Sequence, residues 1–98
     1  MKLFKTADEK FEEIGLIKIR EDKYGAYYQR EHKQPKYTQV VHLLHKASGL
    51  HIIQSYDKDL FDEKCVGNTC VGLTMYETKL CLKKMKQMGW KPLKRNGG

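Results

Sequence analysis

His42, His45 and His51 lie close enough along the chain to be weighed together as metal ligands, and Cys65, Cys70 and Cys81 supply its three thiols. Zinc imposes strict terms on such residues: three protein ligands and an open position in a catalytic site, four ligands in a structural one. If the hairpin that carries the histidines is centred between Ala47 and Ser48, Leu43 faces Ile52 and Leu44 faces His51. His42 and His51 then sit diagonally on one face, and His45 points to the other. Two imidazoles with no carboxylate in the same strand pair fall short of a catalytic set. Cys65 and Cys70 could open a structural site, but no second Cys/His pair at matching spacing closes it, and Cys81 stands alone on a helix. A cysteine nucleophile needs a base and an orienting group, and nothing in the sequence places these beside Cys70. Asp57, Asp59, Asp62 and Glu63 crowd one segment, yet the calcium-loop pattern demands Gly at its sixth position and Glu at its twelfth, and no alignment satisfies both. The expectation is a protein that is not an enzyme, with no catalytic residues, no cofactor and no metal.

Binding chemistry is better represented. Tyr24, Tyr27, Tyr28 and Tyr37 lie among Arg20, Lys23, Arg30, Lys33 and Lys36, the aromatic and basic mixture with which single-strand binders stack bases and neutralise phosphates. The formal net charge of +7 on 98 residues favours acidic partners through long-range attraction. Much of the excess falls late, at Lys79, Lys83, Lys84, Lys86, Lys91, Lys94 and Arg95. These observations define a candidate nucleic-acid set of Arg20, Lys23, Tyr27, Tyr28, Arg30, Lys33, Lys36, Tyr37, Lys83 and Lys86. Weighing against it, tyrosines in adjacent strands are ordinary packing partners, charge runs usually solubilise, and no recognition motif accompanies the patch. A second candidate is an interface or dimer seam on the more polar sheet face, carried by His42, His51 and Ser55.

The elements that must position these residues are clearest at the two ends. Thr6 with Glu9 and Thr74 with Glu77 each form a capping box, in which the threonine hydroxyl accepts from the N3 amide and the glutamate reaches back to the cap. Gly15 then Leu16, and Gly89 then Trp90, mark Schellman endings that fold Leu16 over Phe11 and Trp90 over Met85. Between them Ile17 and Ile19 alternate with Lys18 and Arg20, the pattern of a half-buried strand. Ala26–Glu31 is a second strand, Tyr37–His45 a third and Leu50–Tyr56 a fourth, with Pro35 in the second connection. Val41, Leu43, Leu50, Ile52 and Tyr56 form the more apolar face, so both helices are placed over it. Val40, His42, Leu44, His51, Ile53 and Ser55 form the other. The last helix sets Thr78, Cys81, Leu82, Met85 and Met88 on one stripe, where methionine is ordinary core filler. Residues 57–73 lack a clear period, which predicts a short strand or turn, or a functional loop.

The expected architecture is therefore one α+β domain over residues 1–92: helix, a four-stranded antiparallel sheet, helix, with both helices on one face. A short fifth strand near Cys65 is a variant, and residues 93–98 form a disordered basic tail. No apolar run nears the roughly 20 residues of a membrane span, and MKLFKTADEK turns charged before a signal-peptide core could form. Free thiols and a cytosolic setting are expected, with no membrane partner.

The block from Gly72 to Leu80 (GLTMYETKL), continued by Lys83–Trp90 (KKMKQMGW), resembles the ending of small uncharacterised proteins encoded by bacteriophages and prophages of Gram-positive bacteria. Thr6–Leu16 (TADEKFEEIGL) is similar to that group's "A-D-E-x-F-E-E-L-G" start. The resemblance implies a phage or prophage accessory protein that binds a host or phage macromolecule, most readily a protein, with nucleic acid as the alternative and a homodimer as a further arrangement. It carries no catalytic residues over, and the Cys65–Cys70 loop departs from the commoner relatives.

Overall fold

The computed structural model describes residues 5–46, 48–62 and 69–91. Its elements are α1 (Ala7–Glu13), β1 (Ile17–Asp22), β2 (Gly25–Lys33), β3 (Lys36–His45), β4 (His51–Asp57), α2 (Lys58–Asp62) and α3 (Met75–Gln87). Both capping boxes form as the sequence predicts: Thr6 and Thr74 accept from the amides of Glu9 and Glu77, whose carboxylates reach back to the caps. At the far ends Gly15 and Gly89 adopt φ of +87° and +82°. The amide of Leu16 returns to the Phe11 carbonyl at 2.9 Å and that of Trp90 to the Met85 carbonyl at 3.0 Å, which closes each helix in a Schellman turn.

The four strands form one antiparallel sheet in the order β1-β2-β3-β4. Phe11 of α1 and Leu80, Cys81 and Met85 of α3 share a buried cluster with Leu16, Ala26, Tyr28, Val41 and Leu43, so the terminal helices lie on one face of the sheet. The short α2 follows β4 in the segment without a clear period. Asp57 starts it by accepting from the amides of Asp59 and Leu60 at 3.0 and 3.2 Å, and Phe61 packs against Tyr56 with ring centroids 4.7 Å apart. A single antiparallel bridge joins Cys70 to Tyr56. Cys65, Glu63, the side chain of Asp62, and the tail 93–98 with Lys94 and Arg95 lie outside the described residues.

Three expectations are corrected. β3 and β4 pair Leu43 with Ile53 and Leu44 with Ile52, one residue off the expected register, because the turn is longer by one residue. It closes through the Lys46 amide to the Leu50 carbonyl at 3.0 Å, with Gly49 at φ +86°. A one-residue slip exchanges the faces of a strand: His51, Ile53 and Ser55 turn towards the helices, and Ile52 and Tyr56 turn outwards with Val40, His42 and Leu44. In β1, Ile17 and Ile19 are 50% and 55% exposed. A bulge between Lys18 and Arg20 breaks the alternation, and Lys18 takes the helix side, bridging Asp8 and Glu21 at 3.0 and 3.2 Å. In α3 the buried stripe is Glu77, Leu80, Cys81, Lys84 and Met85, with Leu82 left 57% exposed.

Candidate functional site

Two polar clusters hold α3 against the rest of the fold. In the first, the Asp8 carboxylate accepts from the Tyr28 hydroxyl at 2.5 Å and from Lys84 at 3.1 Å, and Lys84 also pairs with Glu21 at 2.5 Å. Burial pushes Asp8 upwards, but the bonds from Tyr28, Lys18 and Lys84 outweigh it and hold the carboxyl below its usual range. The bond from Lys84 does the same for Glu21. Burial, then the Asp8 carboxylate, raises Tyr28 beyond any physiological titration. In the second cluster Arg30 pairs with Glu77 at 2.6 Å and donates to the Ile14 carbonyl and to Gln39 at 3.0 and 2.8 Å. Gln39 passes the network to Ser55 at 2.9 Å. A buried charge is tolerated only where it is paired and hydrogen-bonded, and these clusters satisfy that condition for Lys84 and Glu77.

Those anchors tie α3 to α1, β1 and β2. The helix side of β4 is left beside a cleft of about 760 Å³. Its lining includes Ile53, the buried Met85, the exposed Leu82 and the exposed Lys86 and Lys91. Trp90, placed by the Schellman turn at Gly89, closes one end. Its ring stacks on His51 at 5.0 Å and tilts against His45 at 5.2 Å, while the two imidazoles stack on each other at 4.8 Å. The Nδ1 atoms of both histidines are buried without a hydrogen-bond partner. The surface is thus apolar and aromatic, bounded by ammonium groups.

The sequence-derived candidates are redistributed. His42 does not share a face with His51 and Ser55, because the register places it outwards; the three do not make one interface. Nor do His42 and His51 lie diagonally, for His51 stands directly opposite His45. Among the described residues no three His, Cys, Asp or Glu side chains converge. Cys70 is exposed and Cys81 buried, and burial, aided by Glu77, pushes the Cys81 thiol up to about 12.

Of the nucleic-acid set, Tyr28 is fully buried against Phe11 and Arg30 is held by Glu77, so neither is free to meet a ligand. Arg20, Tyr27 and His42 do come together on the outer face: the guanidinium lies 5.8 Å from the Tyr27 centroid, and His42 meets that ring edge-on at 5.3 Å. Burial, and then Arg20, lower the His42 imidazole below its ordinary 6.5. Lys23 lies over Tyr24 at one end of β2. Lys33 and Lys36 lie at the other end, where Tyr37 stacks on His32 at 4.3 Å. Nine residues of strand put roughly 25–30 Å between those ends. Lys83 faces away on α3, donating to the Lys5 carbonyl at 3.2 Å, with the neighbouring Lys10 depressing its ammonium. Lys86 alone reaches the cleft.

Of the cleft residues, Leu82 and Met85 belong to the helix stripe that the sequence assigns to the core, and Trp90 is placed over Met85 by the Schellman ending. No signal in the sequence sets Leu82 apart, because the buried stripe 77, 80, 81, 84 and 85 includes two charged residues whose partners come from other elements. Compared with models of known families, with curated proteins and with solved structures, the chain matches none.

Proposed function

We propose that the protein is a non-catalytic binding module that occupies a surface of another protein through the cleft between α3 and β4. The observation that carries this reading is an open apolar site with an exposed leucine wall and a tryptophan end. Aromatic anchors in a partly desolvated depression are where binding energy concentrates in protein interfaces. The polar groups at the cleft are the His51 imidazole and two long lysines, while the exposed leucine and the tryptophan supply the apolar contact that a protein partner would bury. The resemblance at the chain ends would make the partner a host or phage protein in the bacterial cytosol. The test is capture from a host lysate at low salt with the parent chain and with Leu82→Asp, which alters an exposed position. A partner retained by the parent and lost by the variant, at unchanged melting temperature, is the expected result. Equal recovery with both, or none above background with the parent, refutes the reading.

The cluster of Arg20, Tyr27 and His42 favours a second reading, single-stranded nucleic acid on the outer sheet face, where an arginine and an aromatic ring combine phosphate contact with stacking. Affinity there would fall steeply with salt; a flat salt response in a mobility-shift titration, or no shift, removes it.

A further inference from the structure

β4 is an edge strand, and the described residues cover only part of its outward main chain. The amide of Asp57 donates to the Thr69 carbonyl at 2.8 Å and that of Val71 to the Ser55 carbonyl at 2.9 Å. In an antiparallel strand the main-chain groups of alternate residues point the same way, so His51 and Ile53 share the outward direction that the bonds to Thr69 and Val71 establish for Asp57 and Ser55. The covering segment leaves the edge after Val71 to reach the α3 cap at Thr74. Among the described residues no main-chain bond meets the outward groups of His51 and Ile53. These are the residues whose side chains line the cleft.

We infer that the cleft takes an extended peptide segment of a partner protein, added as a strand on the free stretch of β4 at His51–Ile53, with an apolar side chain in the cleft and acidic side chains beside it. This rests on the reading of the cleft as a protein-binding site and specifies how the partner enters. Main-chain pairing supplies affinity in strand addition, and side-chain pockets on one face supply specificity. An added strand alternates its side chains, so a residue that enters between Leu82 and Ile53 brings its neighbours two positions away over the same rim. Lys86 and Lys91 stand there, which selects carboxylates. The same charges select against a second copy of this chain, which would bring its own lysines to the seam. The opposite sheet edge does not compete, since β1 carries a bulge and the charged run Lys18, Arg20, Glu21 and Asp22, features that block edge pairing.

The probe is a capped synthetic peptide in which threonine alternates with a central leucine and flanking glutamates, titrated against the full chain. Trp90 is the sole tryptophan and reports occupation of the cleft by fluorescence; hydrogen exchange at the His51 and Ile53 amides reports strand pairing. The expected result is a saturable fluorescence change with slowed exchange at both amides. The same peptide N-methylated on its edge-facing amides should bind about tenfold or more weakly, the loss of one or two net hydrogen bonds, and lysine in place of glutamate should also weaken it. His51→Pro, which removes one outward donor, should weaken binding more than His51→Ala, which keeps it. Undiminished binding of the N-methylated peptide, lost in Leu82→Asp, overturns strand addition while leaving the cleft as a binding site. No response to any peptide overturns the strand-adding segment, and the lysate capture then decides the cleft independently. Sedimentation as a dimer that His51→Pro dissolves would assign the edge to a second copy instead.

Discussion

Replacing Glu77 tests the arrangement that holds α3 in place. Its carboxylate pairs with Arg30 at 2.6 Å, with side chains 19% and 7% exposed for Arg30 and Glu77, and accepts from the Thr74 amide at 2.9 Å. Glu77→Ala removes both. Breaking a buried pair leaves an uncompensated charge and costs about 3–5 kcal/mol. Arg30 keeps its bonds to Ile14 and Gln39 and some access to water, which favours the lower end, about 3 kcal/mol; the lost half of the capping box adds about 0.5–1 kcal/mol. For a chain of 98 residues each kcal/mol shifts the melting temperature by about 4–8 °C, so a fall of at least about 12 °C is expected. Glu77→Gln keeps a neutral acceptor for the cap and should cost about 1–1.5 kcal/mol. The assay is urea unfolding followed by circular dichroism, completed as a double-mutant cycle with Arg30→Met. The pH dependence has a definite sign. Burial acts to raise Glu77, but the Thr74 amide and Arg30 outweigh it and hold the group below 4.5. The contribution of its charge is therefore present above pH 4.5 and lost as pH falls through the lower folded value, so the gap between parent and variant narrows in acid. A loss below about 1 kcal/mol, outside the range for a buried pair, or a gap unchanged in acid, would refute the reasoning.

Other outcomes follow from single contacts. A Cβ at Gly25 would stand 2.1 Å from the Leu43 carbonyl oxygen, so Gly25→Ala should cost about 2–3 kcal/mol in the same unfolding assay, a value typical of strain at a special backbone position. An effect near zero would mean that β2 and β3 separate there freely. Cys81, buried with its thiol pushed up to about 12, should alkylate at pH 8 only as fast as the fold opens, while the exposed Cys70 reacts at once. Intact-mass kinetics in which all three thiols of the chain react together, with no slow last alkylation, would contradict that burial. His42, lowered by burial and by Arg20, should titrate below 6.5 in an NMR pH series, and Arg20→Gln should move it upwards; no movement would separate the two groups in space.

The legible parts of the fold were those decided by neighbours in sequence. Thr6 with Glu9, Thr74 with Glu77, Gly15 and Gly89 act within a few residues, so caps and Schellman turns could be read directly, and with them the helix order and the antiparallel meander. The β3–β4 register was not local in that sense. One extra residue between Lys46 and Leu50, with Gly49 left-handed, reversed β4 and moved His51 and Ser55 to the helix side. Period reading also failed where charges are buried. Lys84 and Glu77 occupy the core stripe of α3 because Asp8, Glu21 and Arg30 meet them from other elements, and no hydropathy pattern anticipates a partner supplied from elsewhere. Tyr28 and Arg30 were drawn into the basic and aromatic set for the same reason: their residue types suit a ligand, but a carboxylate from a helix had already claimed each.

The cleft is a consequence of those same anchors. Helices need about 8–10 Å of sheet width each and strands about 4.8 Å, so a pair of helices can roof four strands only if they spread evenly. Here Lys84 draws α3 towards Asp8 on α1 and Glu21 on β1, and Glu77 draws it to Arg30 on β2. No ion pair among the described residues pulls it towards β4. The uncovered strip falls on the last strand, and the Schellman turn at Gly89 lays Trp90 across its end onto His45 and His51. The cleft and the stability of the fold therefore share a cause. Weakening the pairs at Lys84 or Glu77 should loosen the cleft wall together with the core, whereas Leu82→Asp, at an exposed position outside both networks, should leave the melting temperature unchanged.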